Sequence, residues 1–232
     1  MSIGAVIPAA GQGKRMKSKI NKQFLQLSEH PVLAHTISVF INNNKIDQII
    51  LVVHSDELDY CKENIINNFF DQDDQRIKII AGGKTRRESV YAGLKAFSPA
   101  IDYVLIHDGA RPLLSQGLLD KVIDSLNSYD AVIVGTRLKD TVKQVDKKGI
   151  VQMTPDRSNL MAVQTPQAFL YELIIEAHQA VPADQPVTDD ASLLEYMGKK
   201  VKIIKGSYEN IKITTPMDLI FAEKILEKRR KG

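Results

Sequence analysis

Cysteine is almost absent from this 232-residue chain, in which Cys61 stands alone. A single cysteine excludes an intrachain disulfide framework and is typical of a reducing compartment. The five histidines are scattered, so no zinc-type ligand spacing is present. The chain also lacks the ~18 consecutive apolar residues of a membrane-spanning helix. Its first segment has no basic region and is interrupted by Pro8, which argues against a signal peptide. We therefore expect a soluble, cytoplasmic protein with no membrane partner.

Strong charge of one sign is missing as well. The formal net charge is +3, from 31 basic and 28 acidic residues. This charge is too small to indicate nucleic acid as a partner. The basic tail Lys228–Lys231 closes a predicted helix, where cations favour the helix dipole and are usually solvated. A hydrophobic fraction of 44% and a charged fraction of 25% are those of an ordinary globular protein.

What the sequence does contain is an alternation of strands and helices. Continuous β-branched or apolar runs predict buried strands, and helical spacing of apolar residues predicts the segments between them. The predicted strands in this part of the chain are 3–8, 48–53, 77–80 and 103–106, and the predicted helices are 31–40, 55–69 (with Ser55 as N-cap) and 87–97. Such an alternation indicates a doubly wound, mainly parallel α/β sheet.

After residue 134 the alternation fails. Two short β-rich segments around Asp146-Lys147-Lys148-Gly149 predict a hairpin, which we place in an arm at about 139–157. An isolated hairpin is marginally stable, so this β-arm should pack on something, plausibly a second subunit. The rest of the chain is predicted as strands at 131–134, 161–164 and 201–204, with helices at 169–180, 188–197 and from 216 onward, the last capped by Thr215.

Three predicted strands end in unusual loops: Ala10–Arg15, Gly82–Ser89 and His107–Pro112. In parallel sheets the ligand lies beyond the carboxyl ends of the strands, so these loops should converge on one site.

The first loop is rich in glycine and positive charge. Gly11 and Gly13 let backbone N–H groups approach a ligand closely, and five cations with no acid follow between Lys14 and Lys22. This combination suits a polyanion such as a nucleoside triphosphate. The alternative is an ordinary strand-to-helix turn with a solvated basic face. Neither the dinucleotide motif nor the P-loop motif is present.

The third loop offers a carboxylate. Asp108 directly follows a buried strand, and it is either a cap for the next helix or a ligand for Mg²⁺, which prefers one or two carboxylates with phosphate oxygens. Arg111 on the same loop could hold a phosphate. Arg15 and Lys22 could stabilise the negative charge of a phosphoryl group in transfer, although a surface lysine is commonly just solvated.

Eight motifs, taken in order along the chain, resemble those of the 2-C-methyl-D-erythritol 4-phosphate cytidylyltransferase family. They are PAAGQGKRM at 8–16, KQFL at 22–25, GG…R…SV at 82–90, HDGARP at 107–112, DR at 156–157, QTPQAF at 164–169, TDDA at 188–191 and NIK at 210–212. The resemblance implies a Rossmann-like nucleotidyltransferase domain spanning 1–232. It implies transfer of CMP from CTP to 2-C-methyl-D-erythritol 4-phosphate in the non-mevalonate isoprenoid pathway, with Mg²⁺ and with a homodimer.

The resemblance also implies roles for individual positions. Nucleotide-binding residues would be Ala9, Ala10, Gly11, Gly13, Gly83 and Ser89. Arg15 and Lys22 would be catalytic. The substrate would be held by Asp108 (also the metal ligand), Arg111, Thr141, Arg157, Thr165 and Lys212. Two positions depart from the family pattern: Lys84 stands where an acid is frequent, and Gly109 where alanine is frequent.

Two other functions stay open on the sequence. One is a related cytidylyltransferase acting on ribitol 5-phosphate, which shares the nucleotide loops and Asn210-Ile211-Lys212. The other is a catalytically silent nucleotide-binding module. Retention of Arg15, Lys22 and Asp108 together argues against the silent module, because binding alone does not require all three.

Overall fold

The computed structural model describes residues 1–11, 21–71, 74–98 and 101–231. Within them, seven strands form one sheet in the order β11-β7-β10-β6-β1-β4-β5. These strands are β1 (Ile3–Pro8), β4 (Gln48–Val53), β5 (Ile77–Ala81), β6 (Tyr103–Ile106), β7 (Ala131–Arg137), β10 (Met161–Leu170) and β11 (Lys202–Lys205). Two-residue strands β2 (Gln26–Leu27) and β3 (His30–Pro31) form a separate ladder.

The helices flank this sheet. They are α1 (Val32–Ile41), α2 (Leu58–Cys61), α3 (Asn67–Phe69), α4 (Arg86–Leu94), α5 (Gln116–Ser125), α6 (Tyr171–Ala180), α7 (Ala191–Tyr196) and α8 (Pro216–Lys231). A π-helical turn at Lys62–Ile66 connects α2 to α3, and 3₁₀ turns lie at Lys22–Phe24, Ser55–Glu57 and Arg157–Asn159. None of the helices described combines the length and apolar character that crossing a bilayer requires.

Strand β1 lies in the middle of the sheet and pairs in parallel with both β4 and β6. Residues Ile3–Ile7 are buried because helices cover both faces, which explains why the strand is apolar at successive positions rather than at alternate ones. Strand β10 is inserted between β6 and β7 and runs antiparallel to both. The predicted mainly parallel α/β sheet is therefore confirmed.

Two hydrophobic layers sandwich the sheet. On one side Leu33, Ile37 and Phe40 of α1 pack over Ile7 and Leu51. The other layer gathers residues of β1, β4 and β6 with Val90 and Leu94 of α4. A smaller cluster beneath α8 includes Ile213 and Ala222. These layers fix the carboxyl ends of β1, β5 and β6 relative to one another.

The structure moves several predicted boundaries: β7 runs to Arg137, α4 ends at Leu94 and α7 begins at Ala191, each three residues from the predicted end. Two further corrections have an identifiable local cause. Ser55 is not the N-cap: the side chain of His54 accepts the Asp56 N–H instead, because the 3₁₀ turn begins one residue earlier than we assumed. The strand predicted at 161–164 continues to Leu170, so Phe169 lies in a strand and not in a helix. A shift of register between Gln164 and Gln167 lets the strand pass Pro166 and keep pairing with β6 and β7.

The β-arm forms a small ladder of its own. Strands β8 (Gln144–Val145) and β9 (Val151–Met153) pair antiparallel, joined by a turn in which Gly149 has a φ of +82°. This left-handed conformation favours glycine. Both strands are exposed along their whole length, so the predicted hairpin is present and its side chains lack cover within the described chain.

Helix α4 packs so closely on the sheet that one position must be glycine. A Cβ at Gly93 would lie 2.6 Å from Val6 Cγ1 and 3.0 Å from Val52 Cγ2, whereas a Cβ at Gly117 on α5 would meet nothing within 4 Å.

We predict that Gly93→Ala lowers the free energy of unfolding by ~1–3 kcal/mol through overpacking. The matched Gly117→Ala should raise it by up to about 1 kcal/mol. Urea denaturation of both variants checks this, and equal effects would contradict it.

Candidate active site

A cleft opens at the carboxyl ends of β1, β5 and β6, where the three loops meet. Its lining residues are Pro8, Ala9, Ala10, Gly11, Lys22, Gln23, Gly83, Lys84, Thr85, Arg86, Ser89, Asp108, Gly109, Ala110 and Lys212. Eight of the sequence-predicted site residues are in this set. Gly13 and Arg15 lie outside the described residues.

The first wall of the cleft continues from β1. The Ala9 N–H donates to Val52 O at 2.7 Å, and Gln23 Nε2 donates to Ala9 O at 2.6 Å. Gln23 is buried and also lies near Glu57, which accepts from the side chain of Asn21. The segment carrying Lys22 is therefore tied back to the end of β1, which keeps Lys22 at the cleft. No role for Gln23 was expected from the sequence.

The second wall is the N-terminus of α4. Thr85 caps this helix by accepting the Glu88 N–H, and the Glu88 side chain accepts the N–H of Lys84, the residue before the cap, at 2.8 Å. This arrangement is a variant of the capping box, in which the acid accepts the N–H of the cap residue itself. The hydroxyl of Ser89 accepts the Gly83 N–H at 3.1 Å. A Cβ at Gly83 would lie 2.4 Å from Glu88 Cβ, which explains why this turn needs glycine. At Lys84, one of the departures from the family pattern, the main chain is held by the capping box.

Three cations surround the carboxylate of Asp108. Lys212 Nζ lies 2.7 Å from Oδ2, Arg111 Nε lies 3.7 Å from Oδ2, and Arg86 Nε lies 3.3 Å from Oδ1. Burial opposes the charged form of Asp108, but Arg86, Lys212 and Arg111 outweigh it and hold the pKa of Asp108 well below its usual range. Asp108 is therefore an ion-paired carboxylate in the cleft and remains ionised at neutral pH.

The main chain of Asp108 is held by Thr165 and His107. The Asp108 N–H donates to Thr165 Oγ1 at 3.1 Å. His107 Nε2 lies 3.0 Å from Arg111 O and must donate to it, because a carbonyl only accepts. Burial lowers the pKa of His107 to about 4, so the ring is neutral and Nδ1 accepts the Thr165 hydroxyl proton at 3.1 Å. The Thr165 hydroxyl thus has its proton committed to His107.

The segment carrying Lys212 is fixed in the same way. Arg111 Nη1 donates to Asn210 O at 2.8 Å, and Asn210 Nδ2 donates to Thr165 O at 2.8 Å. The Ile213 N–H donates to Ala110 O at 2.8 Å. These bonds hold the 210–213 segment against the Asp108 loop and place the Lys212 ammonium on the carboxylate.

Arg86 and Asp190 lie next to Asp108, and no role for either was expected from the sequence. Arg86 Nη2 lies 2.7 Å from Asp190 Oδ2. Arg86 lies in the motif at 82–90 and Asp190 in the motif at 188–191. Their place in these motifs was the one indication in the sequence that they belong to the site. Their pairing joins positions more than 100 residues apart, so no local pattern reveals it.

Two predicted residues on the β-arm do not reach this cleft. Thr141 and Arg157 are exposed, and Arg157 Nη1 donates to Lys139 O at 2.7 Å. Neither residue is among those that line the cleft of its own chain.

The donor set for a metal is small. Within the described ranges, no three His, Cys, Asp or Glu side chains are grouped so that they could hold a metal ion. Asp108 supplies a carboxylate to the cleft, but both of its oxygens already face cations. This set does not fit a metal ion held by protein ligands alone, and a metal bound here would need phosphate oxygens and water as its other ligands.

His107 makes the stability of the protein depend on pH. Its pKa is lowered from 6.5 to about 4 by burial, so the unfolded chain binds this proton more readily than the folded chain. The free energy of unfolding is therefore unaffected by His107 above pH 6.5. As the pH falls toward 4, protonation of His107 in the unfolded chain lowers it by on the order of 3 kcal/mol. We predict that His107→Gln removes this part of the acid dependence. Denaturant unfolding of both proteins from pH 7 to 4 tests it. His178, whose pKa burial also lowers to about 4, is present in both. Identical pH profiles would contradict the prediction.

Comparison with known proteins agrees with this geometry. The family model for IspD, 2-C-methyl-D-erythritol 4-phosphate cytidylyltransferase, matches residues 3–228. Relatives carrying that name in Alkaliphilus oremlandii and Clostridium botulinum are 49% and 46% identical, and the alignments cover 98% and 96% of this chain and 96% of each relative. The crystal structure of 4-diphosphocytidyl-2C-methyl-D-erythritol synthase from Anaerococcus prevotii superposes with a TM-score of 0.85 at 38% identity, covering 97% of this chain and 98% of that one. The chain therefore belongs to the 2-C-methyl-D-erythritol 4-phosphate cytidylyltransferase family.

Proposed function

We propose that the cleft binds CTP and that the chain transfers its cytidylyl group to 2-C-methyl-D-erythritol 4-phosphate, releasing pyrophosphate. The observation that supports this most is the meeting of Lys22, Asp108 and Lys212 with two glycine-containing loops in one cleft. Family membership supplies the substrates. The reaction is a step of the non-mevalonate isoprenoid pathway, and the cytoplasmic location expected from the sequence stays a prediction.

The chemistry is an in-line displacement. A phosphate oxygen of the sugar-alcohol phosphate forms a bond to the α-phosphorus of CTP, and the bond from that phosphorus to the bridging oxygen of pyrophosphate breaks. Such reactions are catalysed mainly by positioning and by charge stabilisation. We assign the charge stabilisation to Lys22 and to Arg15, the latter on the basis of the sequence alone.

On the nucleotide side, we propose that the base and ribose lie against the start of α4. The Ser89 hydroxyl accepts the Gly83 N–H and donates to Thr85 O, and Glu88 holds the Lys84 N–H of the same turn. Main-chain groups of Ala9, Ala10 and Gly11 approach from the opposite wall without bulky side chains, and Gly13 extends the same loop in the sequence. A rigid hydrogen-bonding pocket is what discrimination between cytosine and uracil requires.

On the side of the second substrate, we propose that Arg111 and Lys212 bind its phosphate. Both cations are held close to Asp108 before any anion arrives. Thr165 has its hydroxyl proton committed to His107, so the contribution that we propose for it is to fix the Asp108 main chain. Asp108 in turn sets the spacing of the cations.

We propose that Mg²⁺ takes part, with Asp108 as its protein ligand. Among the described residues that line the cleft, Asp108 is the one that supplies a carboxylate, which suits an ion held mostly by triphosphate oxygens and water. Such an ion would neutralise charge on the triphosphate while this chain's residues hold the reacting groups in line.

We also propose that the protein is a homodimer whose β-arm completes the neighbouring site. Val145, Ile150, Val151 and Met153 on the arm are all more than half exposed, which is unusual for a two-stranded ladder that needs packing to be stable. Thr141 and Arg157 flank this apolar surface. An arm that packs on a second copy would bury these side chains and could carry Arg157 to the partner's cleft.

The activity itself is tested by pyrophosphate release. We predict release with CTP and 2-C-methyl-D-erythritol 4-phosphate, and release slower by about tenfold or more when UTP replaces CTP, because a hydrogen-bonding pocket leaves groups unpaired with the wrong base. Ribitol 5-phosphate is the matched control for the second substrate. Faster release with ribitol 5-phosphate would reassign the substrate. CTP binding without release from either polyol phosphate would identify a silent binding module.

The shared site is tested by mixing two inactive variants, Lys22→Ala and Arg157→Ala, after reversible dissociation. If each cleft uses Lys22 of its own chain and Arg157 of the other, every mixed dimer regains one intact site. Random pairing makes about half of the dimers mixed, so roughly a quarter of the sites should recover. Native mass spectrometry with one isotopically labelled variant shows that mixed dimers form. Recovery near zero with mixed dimers present would place Arg157 in its own chain's site.

A further inference from the structure

Arg86 and Asp190 form an ion pair directly behind the carboxylate of Asp108. The Arg86 guanidinium spans the two acids, with Nη2 at 2.7 Å from Asp190 Oδ2 and Nε at 3.3 Å from Asp108 Oδ1. The side chain of Asp190 is 2% exposed and that of Arg86 is 33% exposed. Asp190 therefore lies in the protein interior, whereas Arg86 forms part of the cleft wall.

The position of Asp190 is held by hydrogen bonds between its main chain and the sheet. Gln167 of β10 is buried, and its Oε1 accepts the N–H groups of Asp190 and Ala191, each at 3.1 Å. Gln167 itself pairs with Ile106, the last residue of β6 and the second residue before Asp108. The Asp190 residue that contacts Arg86 is thus anchored to the same strand end that carries Asp108.

We infer that Asp190 is a positioning residue, which acts through Arg86 to hold the Asp108 carboxylate in the orientation that the transfer requires. A guanidinium presents its donors in a rigid planar fork, so a partner on one edge fixes what the other edge offers. With Asp190 in place, Arg86 contacts Asp108 through Nε and leaves Oδ2 to Lys212. Without that anchor, Arg86 is free to take both Asp108 oxygens and to compete with Lys212.

The test is Asp190→Asn, with Asp189→Asn as its matched control. Asp189 lies on the same loop and accepts from Gln167 Nε2 and from the Ser192 N–H, but it makes no ion pair with Arg86 among the described contacts. A misplacement of the order of an ångström can cost ~10²-fold in rate. We expect Asp190→Asn to lower kcat by about 10- to 100-fold with KM for CTP changed by less than about threefold, and Asp189→Asn to keep kcat within about threefold.

A merely structural role is separated by a double-mutant cycle. If Asp190 acts through Asp108, then Asp190→Asn should lower kcat by less than about twofold in an Asp108→Asn background. An undiminished loss in that background, or an unchanged kcat in Asp190→Asn alone, overturns the inference.

Arg86→Lys covers the case in which Asp190→Asn does not fold. A single ammonium cannot donate to both acids in the fork geometry, so the same loss of kcat is expected, and a fully active Arg86→Lys also overturns the inference.

The inference rests on the proposed role of Asp108, and the same measurements separate the two. If Asp108→Asn leaves kcat unchanged, the site assignment itself fails. If Asp108→Asn lowers kcat and Asp190→Asn does not, only the positioning role fails.

Discussion

The buried carboxylate of Asp108 and its counter-ions are the interaction on which the rest of the site depends. Removing a carboxylate from water costs several kcal/mol, and this cost is offset only when cations and hydrogen bonds are placed with good geometry. Here Lys212 and Arg86 lie within 3.3 Å of its two oxygens. Each of these cations comes from a different part of the chain, so the ion cluster can form only after the sheet, α4 and the 210–213 segment have assembled.

The antiparallel strand β10 is what brings these parts together. It is inserted beside β6, and this places Thr165 and Gln167 next to the end of the strand that precedes Asp108. Thr165 holds the main chain of Asp108, and Gln167 holds the loop of Asp190, the acid behind Arg86. A strand that departs from the parallel pattern therefore supports the loop that carries Asp108.

The sequence predicts those parts of this arrangement that depend on neighbouring residues in the chain. It does not predict the parts that depend on contacts between distant residues. Strands β4 and β6 were predicted with their observed bounds, because a strand buried on both faces is marked by a continuous apolar run. The position of the cleft followed from the rule that parallel strands bind ligands at their carboxyl ends. The extension of β10 past Pro166 was missed, because its pairing partners lie elsewhere in the chain. The Arg86–Asp190 pair was missed for the same reason, and α5 was not predicted at all, although Ser115 caps it by accepting from the Leu118 N–H.

Charge balance explains why a cleft for which we propose two anionic substrates contains a buried acid. Arg86, Arg111 and Lys212 would repel one another in an empty cleft, and each would be displaced toward solvent. Asp108 and Asp190 lie among these three cations, so the cations stay close together without a ligand. When a phosphate enters, it meets donors that are already in place and that lose little conformational entropy on binding. The acids thus weaken the raw attraction for anions but preorganise the cations, and preorganised charge is what the proposed reaction requires.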